Sequence, residues 1–240
     1  MILRRVGILG GMGPEATVLL MQKVIAATQA RDDAGHIPLI VDQNPQVPSR
    51  IRRLIEGTGE DPGPVLAAMA LRLQTAGAEA LAMPCNTAHH YAPVIQAAAN
   101  VPLIDMVQLS VAKAASLAGK NGRVGILASP AVRQVGLFDA ACATAGLTPT
   151  YAKDEATMLA TIRAIKAGGV TPAARVALAQ ASQDLLADGC IVQMIACTEF
   201  SLIADEVTPS AMAFDTLDQL VSGIIAFATD SGAGQDKAET

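Results

Sequence analysis

The stretch "RVGILGG" at residues 5–11 is an apolar run closed by two glycines, and "RVGILAS" at residues 123–129 repeats it. In both, an Arg leads an unbroken run of Val, Gly, Ile and Leu, and small residues end it. A short apolar run without polar alternation suits a strand buried on both faces, as inside a parallel sheet covered by helices. A second pair follows the first. "GAEALAMPCNTAHH" (77–90) and "GCIVQMIACTEFSL" (189–202) each run from Gly through an apolar strand to a Cys and then to polar residues. The opening strands are offset by 118 positions and the two cysteines, Cys85 and Cys197, by 112. The chain therefore reads as an internal duplication of one α/β half.

Between these anchors, helical and strand patterns alternate. Residues 14–30 read as a helix with Pro in its first turn, 36–43 as a strand, and 61–80 as a helix running into the strand before Cys85. Further helices are predicted over 104–122, 136–147, 155–169 and 172–189. Alternating strands and helices predict an α/β fold of two pseudo-symmetric domains, each a mostly parallel sheet flanked by helices, with the active site between them. The first domain is expected over 1–105, completed by 209–228, and the second over 106–208. Residues 229–240, ending in "SGAGQDKAET", are small, polar and charged and read as a frayed tail.

Composition narrows the function classes. Of the 240 residues 51% are apolar but only 2% aromatic, with no Trp, so Ala, Val, Leu and Ile must build the core. No apolar run reaches the roughly 18 residues of a membrane span, and "MILRRVGILGGMG" has no secretory h-region and cleavage site. A net charge of −5 with no long basic run argues against nucleic acid or an anionic membrane as partner. The four cysteines form no CxxC pair and no secreted-domain spacing. Reduced thiols in a cytoplasmic protein are the expectation.

In sheets of this kind ligands bind beyond the carboxyl ends of the strands, and Cys85 and Cys197 both fall there. Cys142 lies in a predicted helix and Cys190 begins a strand, so both read as buried small hydrophobes. Three chemistries fit the other two cysteines. Cys85 could be a nucleophile served by His89 or His90, although a histidine one turn on can equally cap or pack. Cys85, a His and Cys197 could hold zinc, although the short ligand spacing of structural zinc is missing. Alternatively, two thiols facing one cleft could remove a proton from one face of a carbon and deliver one to the other. That reading uses both cysteines and accounts for the duplication.

Other residues have two readings each. "GGMGPEAT" places glycines and a helix N-terminus after strand one, where free N–H groups hold anions, or it is only a tight turn. It lacks the spacing of a dinucleotide fingerprint. Arg50, after the Pro-flanked "NPQVPS", offers a fork for a carboxylate or is a solvated cation beside Arg52 and Arg53. Lys166 sits where a helix end favours a cation anyway, and Glu199 is otherwise an exposed acid near a helix start.

"GILGGMGPEAT", "NPQVPSR", "MPCNTAHH", "IKAGG" and "ACTE", in this order and at these spacings, resemble the cofactor-independent aspartate racemases of the aspartate/glutamate racemase superfamily. The resemblance spans nearly the whole chain. It implies that Cys85 and Cys197 are the two acid/base thiols. It implies that Asn86, Thr87, Thr198 and Glu199 hold the α-amino and α-carboxylate groups and orient the thiols, and that Arg50 and Lys166 clamp the distal carboxylate. It implies no cofactor, no metal, a small acidic amino acid as the partner, and a homodimer. Two departures bear on the substrate. The family's usual "PDRT" reads "PSRI", with Ser49 and Ile51, and a Thr/Gly-rich loop reads "SPAV", with Ser129 and Pro130. The expected activity is racemisation of aspartate without pyridoxal phosphate. The alternatives are glutamate racemisation, a related decarboxylation or cis–trans isomerisation, or non-catalytic amino acid binding.

Overall fold

A computed structural model of the chain describes residues 3–230. Two all-parallel sheets organise it. The first holds β1 (Val6–Gly10), β2 (Leu39–Gln43) and β3 (Ala80–Ala82) in the order β2-β1-β3. The second holds β4 (Arg123–Ala128), β5 (Thr148–Tyr151), β6 (Val192–Ala196) and β7 (Met212–Asp215) in the order β5-β4-β6-β7. The repeated "RVGIL" runs are thus the strand-one elements of the two sheets, and the cysteine strands β3 and β6 lie on the same side of them. Leu103 makes a single parallel bridge to Leu81, in the place that β7 takes beside β6.

Helices cover both faces of each sheet. On the first, α2 (Gly63–Thr75) buries Leu66, Met69 and Leu73 in one core with Leu9 and Leu81. The other face carries α1 (Pro14–Ala27) and the C-terminal α9 (Thr216–Thr229), whose Leu20, Val24, Leu217, Leu220 and Ile224 share a core with Val6 and Ile8. On the second sheet, α7 (Glu155–Gly168) and α8 (Pro172–Ala187) pack on one face. There α4 (Met106–Ala118) packs on the other, through Val107, Val111 and Ala114 against Val124 and Ile126. The segment 209–228 therefore contributes a strand to the second sheet and a helix to the first core. Three short helices complete the fold: α3 (Ala92–Ala98), α5 (Pro130–Gln134) and α6 (Asp139–Thr144).

The duplication explains two glycines and a cysteine. A Cβ on Gly7 would stand 2.8 Å from the Ala78 Cβ, and one on Gly125 would stand 3.2 Å from the Cys190 Cβ. Ala78 precedes Cys85 by seven residues, as Cys190 precedes Cys197. Cys190, fully buried, is therefore the small residue that lets a helix–strand turn approach the central strand, and Cys142 is likewise fully buried.

Predicted and observed elements differ mainly at ends. The helix expected over 61–80 stops at Thr75, where the Ala78 N–H returns to the Leu73 carbonyl, and residues 80–82 are already strand. The strand expected over 36–43 begins at Leu39 because Asp33–Gly35 forms a tight turn capped by Asp32. β5, β7, α3, α5 and α9, and the wide helical turn Arg52–Glu56, are elements the sequence pattern left undefined. Of the expected tail, Thr229 closes α9, and 231–240 lie outside the described residues.

Candidate active site

Beyond the carboxyl ends of the two sheets lies a cavity of about 520 Å³. The sheets deliver its walls. The "GGMGP" turn after β1, the 45–51 loop after β2 and the Cys85 turn after β3 come from the first half. Ser129 after β4, α7 and the Cys197 turn after β6 come from the second. Gly11 makes the first turn feasible: its φ is 92°, and a Cβ would stand 2.4 Å from the Asn44 carbonyl carbon.

Of the residues named from the sequence, Arg50, Cys85, Thr87, Lys166, Cys197, Thr198 and Glu199 line this cavity. Asn86 does not. It is 2% exposed, its Nδ2 donates to Thr216 Oγ1 at 2.9 Å, and its Oδ1 is buried without a protein partner. Both cysteines are reduced and 7% exposed.

The two thiols have different neighbours. Cys197 Sγ donates to Glu199 Oε2 at 3.1 Å, and Lys166 Nζ is ion-paired with the other carboxylate oxygen, Oε1. Burial first, then the negative charge of Glu199, push the Cys197 thiol well above its ordinary pKa, while the Lys166 ammonium pulls it the other way. Burial works against the Lys166 charge too, yet Glu199 and the two cysteines together hold its pKa above the usual lysine value. Lys166 is in the last turn of α7, as expected, but its head points into the cavity instead of merely completing the helix end. Gly13 belongs to this corner: its missing Cβ would sit 3.5 Å from Glu199 Oε1 and 3.6 Å from Lys166 Nζ.

Arg50 is held by its own loop. Nη1 donates to the carbonyls of Val47 and Pro48 at 3.2 and 2.9 Å, and Nη2 to that of Met12 at 3.4 Å. Its Nε–H is buried and unpartnered, and it forms no carboxylate pair among the described residues. Nη2 also has a second hydrogen, so one edge of the fork, Nε with Nη2, keeps donors that no protein acceptor takes.

His89 is otherwise employed. Its Nδ1 faces the Cys85 carbonyl at 2.9 Å, and its Nε2 receives the Met106 N–H at 3.3 Å. A carbonyl only accepts and an N–H only donates, so the ring is the neutral Nδ1–H tautomer. Burial lowers its pKa against the opposing influence of the Cys85 carbonyl and Asp105. With both nitrogens committed, His89 fastens the Cys85 turn to the start of α4 and is not the base of a Cys–His nucleophile. Among the described residues no three His, Cys, Asp or Glu side chains are placed to hold a metal.

Thr216, the first residue of α9, was missed. Its signal is the echo between "PLIDMVQL" (102–109) and "AFDTLDQL" (213–220), in which Asp105 and Asp215 both cap the following helix. Pro130 lacks a backbone N–H donor but occupies the first turn of α5, where no helical hydrogen bond is lost; Ser129 caps that helix through Oγ.

The sequence profile of the Asp/Glu/hydantoin racemases matches residues 9–224. The chain belongs to this family. A solved aspartate racemase from Picrophilus torridus superposes with a TM-score of 0.83 at 25% identity, covering 94% of each chain. Among the proteins that share sequence with this chain are two other racemases. A broad-specificity amino-acid racemase of Bacillus subtilis is 32% identical over 110 residues, 44% of this chain and 47% of that protein. A glutamate racemase of Pseudomonas entomophila is 29% identical over 194 residues, 77% of this chain and 65% of that protein. The matches thus span about half and just under two thirds of these relatives. No helix among the described residues is long and apolar enough to cross a membrane.

Proposed function

We propose that this member of the racemase family interconverts the enantiomers of an acidic amino acid, aspartate before glutamate, by a two-base mechanism on Cys85 and Cys197 without a pyridoxal cofactor. The observation that carries the proposal is the meeting of two thiols from corresponding strand ends in one cavity that also holds a cation fork with a vacant edge. Each half supplies one thiol. Of the expected units, 1–105 with 209–228 and 106–208, we keep α9 with the first and place β7 with the second.

The two thiols start in opposite protonation states. Glu199 accepts the S–H of Cys197, which favours the thiol there, and the two-base cycle then requires the opposite sulfur, Cys85, to enter as thiolate. That thiolate takes the α-proton, the Cα–H pair stays on carbon, and the thiol opposite donates its proton to the other face. The enzyme finishes with the roles exchanged and returns through proton exchange with solvent. The α-proton of an amino acid is a very weak acid, so binding energy from remote groups has to hold the carbon between the sulfurs. The Nε–Nη2 edge of Arg50 suits the distal carboxylate. Thr87, Thr198 and the N-terminus of α1 serve the α-carboxylate, and Glu199 the ammonium; Asn86, outside the cavity, acts by orienting the Cys85 turn. Lys166 contributes positive charge beside Glu199 and the distal carboxylate. The protein is proposed to act in the reducing cytoplasm, as a homodimer.

Incubation with L-aspartate in heavy water tests this reading. Racemisation yields D-aspartate labelled at the α-carbon. Release of carbon dioxide would replace it with a decarboxylase, binding without label with an amino acid receptor, and faster turnover of glutamate would move the preference within the acidic substrates.

A further inference from the structure

Thr216 lies outside the cavity, is fully buried, and joins the two cysteine-bearing strand ends. Its Oγ1 donates to the Ile195 carbonyl at 3.0 Å and lies 2.9 Å from Asn86 Nδ2. Asn86 immediately follows Cys85, and Ile195 is two residues before Cys197. A hydroxyl has one hydrogen. The Ile195 carbonyl can only accept, so that hydrogen is spent there, and Oγ1 must meet the Asn86 amide as an acceptor. Two constraints follow from one side chain. The Cys85 turn of the first sheet is strapped to β6 of the second, and the Asn86 amide is oriented with its Oδ1 turned away from Thr216.

The location of Thr216 is itself well fixed. Ile195 pairs with Asp215 in the parallel register of β6 and β7, and Asp215 caps α9 through Leu217 N–H. The strap therefore starts from a helix start anchored in the second sheet and ends on the residue next to a thiol of the first. Elsewhere the two turns are fastened separately, Cys85 to α4 through His89, and Cys197 to α9 through Ser201 and Asp215. The Thr216 hydroxyl is a direct polar bridge between them.

We infer that Thr216 is a positioning residue for the reaction, holding the two thiols in the register that inversion requires. The inference rests on the two-thiol reading above. Inversion needs both sulfurs aligned with one carbon. Proton removal and return on one face needs only one of them. Loosening the strap should therefore harm inversion more than exchange.

Thr216→Ala and Thr216→Ser differ only in the hydroxyl, and Thr216→Val keeps the shape without it. Each is assayed with L-aspartate in heavy water. The readouts are kcat, KM, and the ratio of α-deuterated L-aspartate to D-aspartate formed. The ratio is taken per turnover and does not change with the fraction of protein folded, so a purely structural loss leaves it where it was. Thr216→Ser should match the wild type. Thr216→Ala and Thr216→Val should lose roughly ten- to a hundredfold in kcat, the range for a misplaced reacting group, with little change in KM and a raised ratio. If Thr216→Val does not fold, the Ala–Ser pair decides alone. Ala and Val variants with wild-type kcat and ratio would overturn the strap, as would a Ser variant as impaired as Ala. A wild-type enzyme that neither inverts nor labels aspartate would overturn the two-thiol reading itself and the strap with it.

Discussion

Replacing Arg50 with Lys keeps the charge and removes the fork, which makes it a direct test of the substrate class. Three of the five N–H groups of Arg50 are tied to the carbonyls of Val47, Pro48 and Met12. The buried Nε–H and the second Nη2–H remain. A distal carboxylate placed on that edge receives two charge-assisted hydrogen bonds, each about 1.5–3 kcal/mol. Lysine, a point charge on a flexible stem, keeps one of them. It also releases the carbonyls that hold the 45–51 loop against the "GGMGP" turn. The loss of one bond corresponds to roughly ten- to 150-fold in kcat/KM for aspartate at about 1.36 kcal/mol per decade. Alanine has no distal carboxylate, so its small rate should hardly respond, and the discrimination between the two substrates should shrink by about the same factor. The assay is the polarimetric or coupled rate for both substrates in wild type and Arg50→Lys, with circular dichroism to confirm folding. An unchanged kcat/KM for aspartate, or equal losses for aspartate and alanine, would refute the carboxylate clamp.

Cys85→Ser and Cys197→Ser should each cost racemisation about a thousandfold or more, because a hydroxyl is too basic to exchange protons in place of the thiol; full activity in either would end the two-base account. Cys142→Ser and Cys190→Ser should leave kcat intact and lower stability by about 1–3 kcal/mol, read from denaturant melts, since each hydroxyl enters a fully buried apolar site. Glu199→Gln should speed alkylation of Cys197 at a given pH, followed by peptide mass spectrometry with Cys85 as internal reference, because the carboxylate raises that thiol's pKa; a slower or unchanged Cys197 would contradict the assigned hydrogen bond. Asp215 gives a pH prediction. Burial lifts its carboxyl from 3.8 to about 6, against the hydrogen bonds from Leu217 and Ser201. The folded protein thus holds a proton that the unfolded chain releases between those values, and stability from this group is present below the lower pKa and lost as pH rises through the upper one. The loss is about 3 kcal/mol, so Asp215→Asn should gain on wild type by about that much between pH 4 and 7, and parallel stability curves would contradict it.

Much of this was legible because the fold is written twice. The two "RVGIL" runs named the central strands, and the cysteines that follow the neighbouring strands named the cavity. Arg50, Lys166 and Glu199 stand in local contexts that admit a bland reading, and their convergence is tertiary: a loop of the first half meets a helix end and a strand end of the second, more than a hundred residues on, only when the sheets face each other. The role of His89 was ambiguous for the same reason. Its partners are its own turn and the start of α4, and no spacing rule distinguishes a ring that fastens a turn from one that activates a thiol. The family resemblance makes Asn86 a substrate-holding residue. A polar residue four residues past a short strand can turn either way, and here Thr216 draws its amide inward. Thr216 had no local signal at all beyond its place after a capping Asp.

Comparing the two halves position by position separates scaffold from chemistry. After the shared cysteine, the first half reads Asn86, Thr87, Ala88 and His89, and the second reads Thr198, Glu199, Phe200 and Ser201. His89 and Ser201 do the same work by different bonds, one receiving the first N–H of α4 and the other donating to the cap of α9. The scaffold is thus conserved in function while its residues differ. Two positions back, the halves differ in charge: Thr87 follows one thiol, and Glu199 with Lys166 lies beside the other. This asymmetry cannot bias the final mixture, because mirror-image amino acids have equal free energies in solution, so kcat/KM must be the same from either enantiomer. What it sets is how that common ratio divides. In the proposed two-base cycle, the free enzyme with a thiol at Cys197 is ready for the enantiomer whose α-proton faces Cys85, and the other enantiomer must wait for the proton to change sides. The cost of moving that proton against Glu199 then falls on kcat and KM of one direction together, so unequal kcat values with equal kcat/KM are the kinetic form that the unequal halves should take.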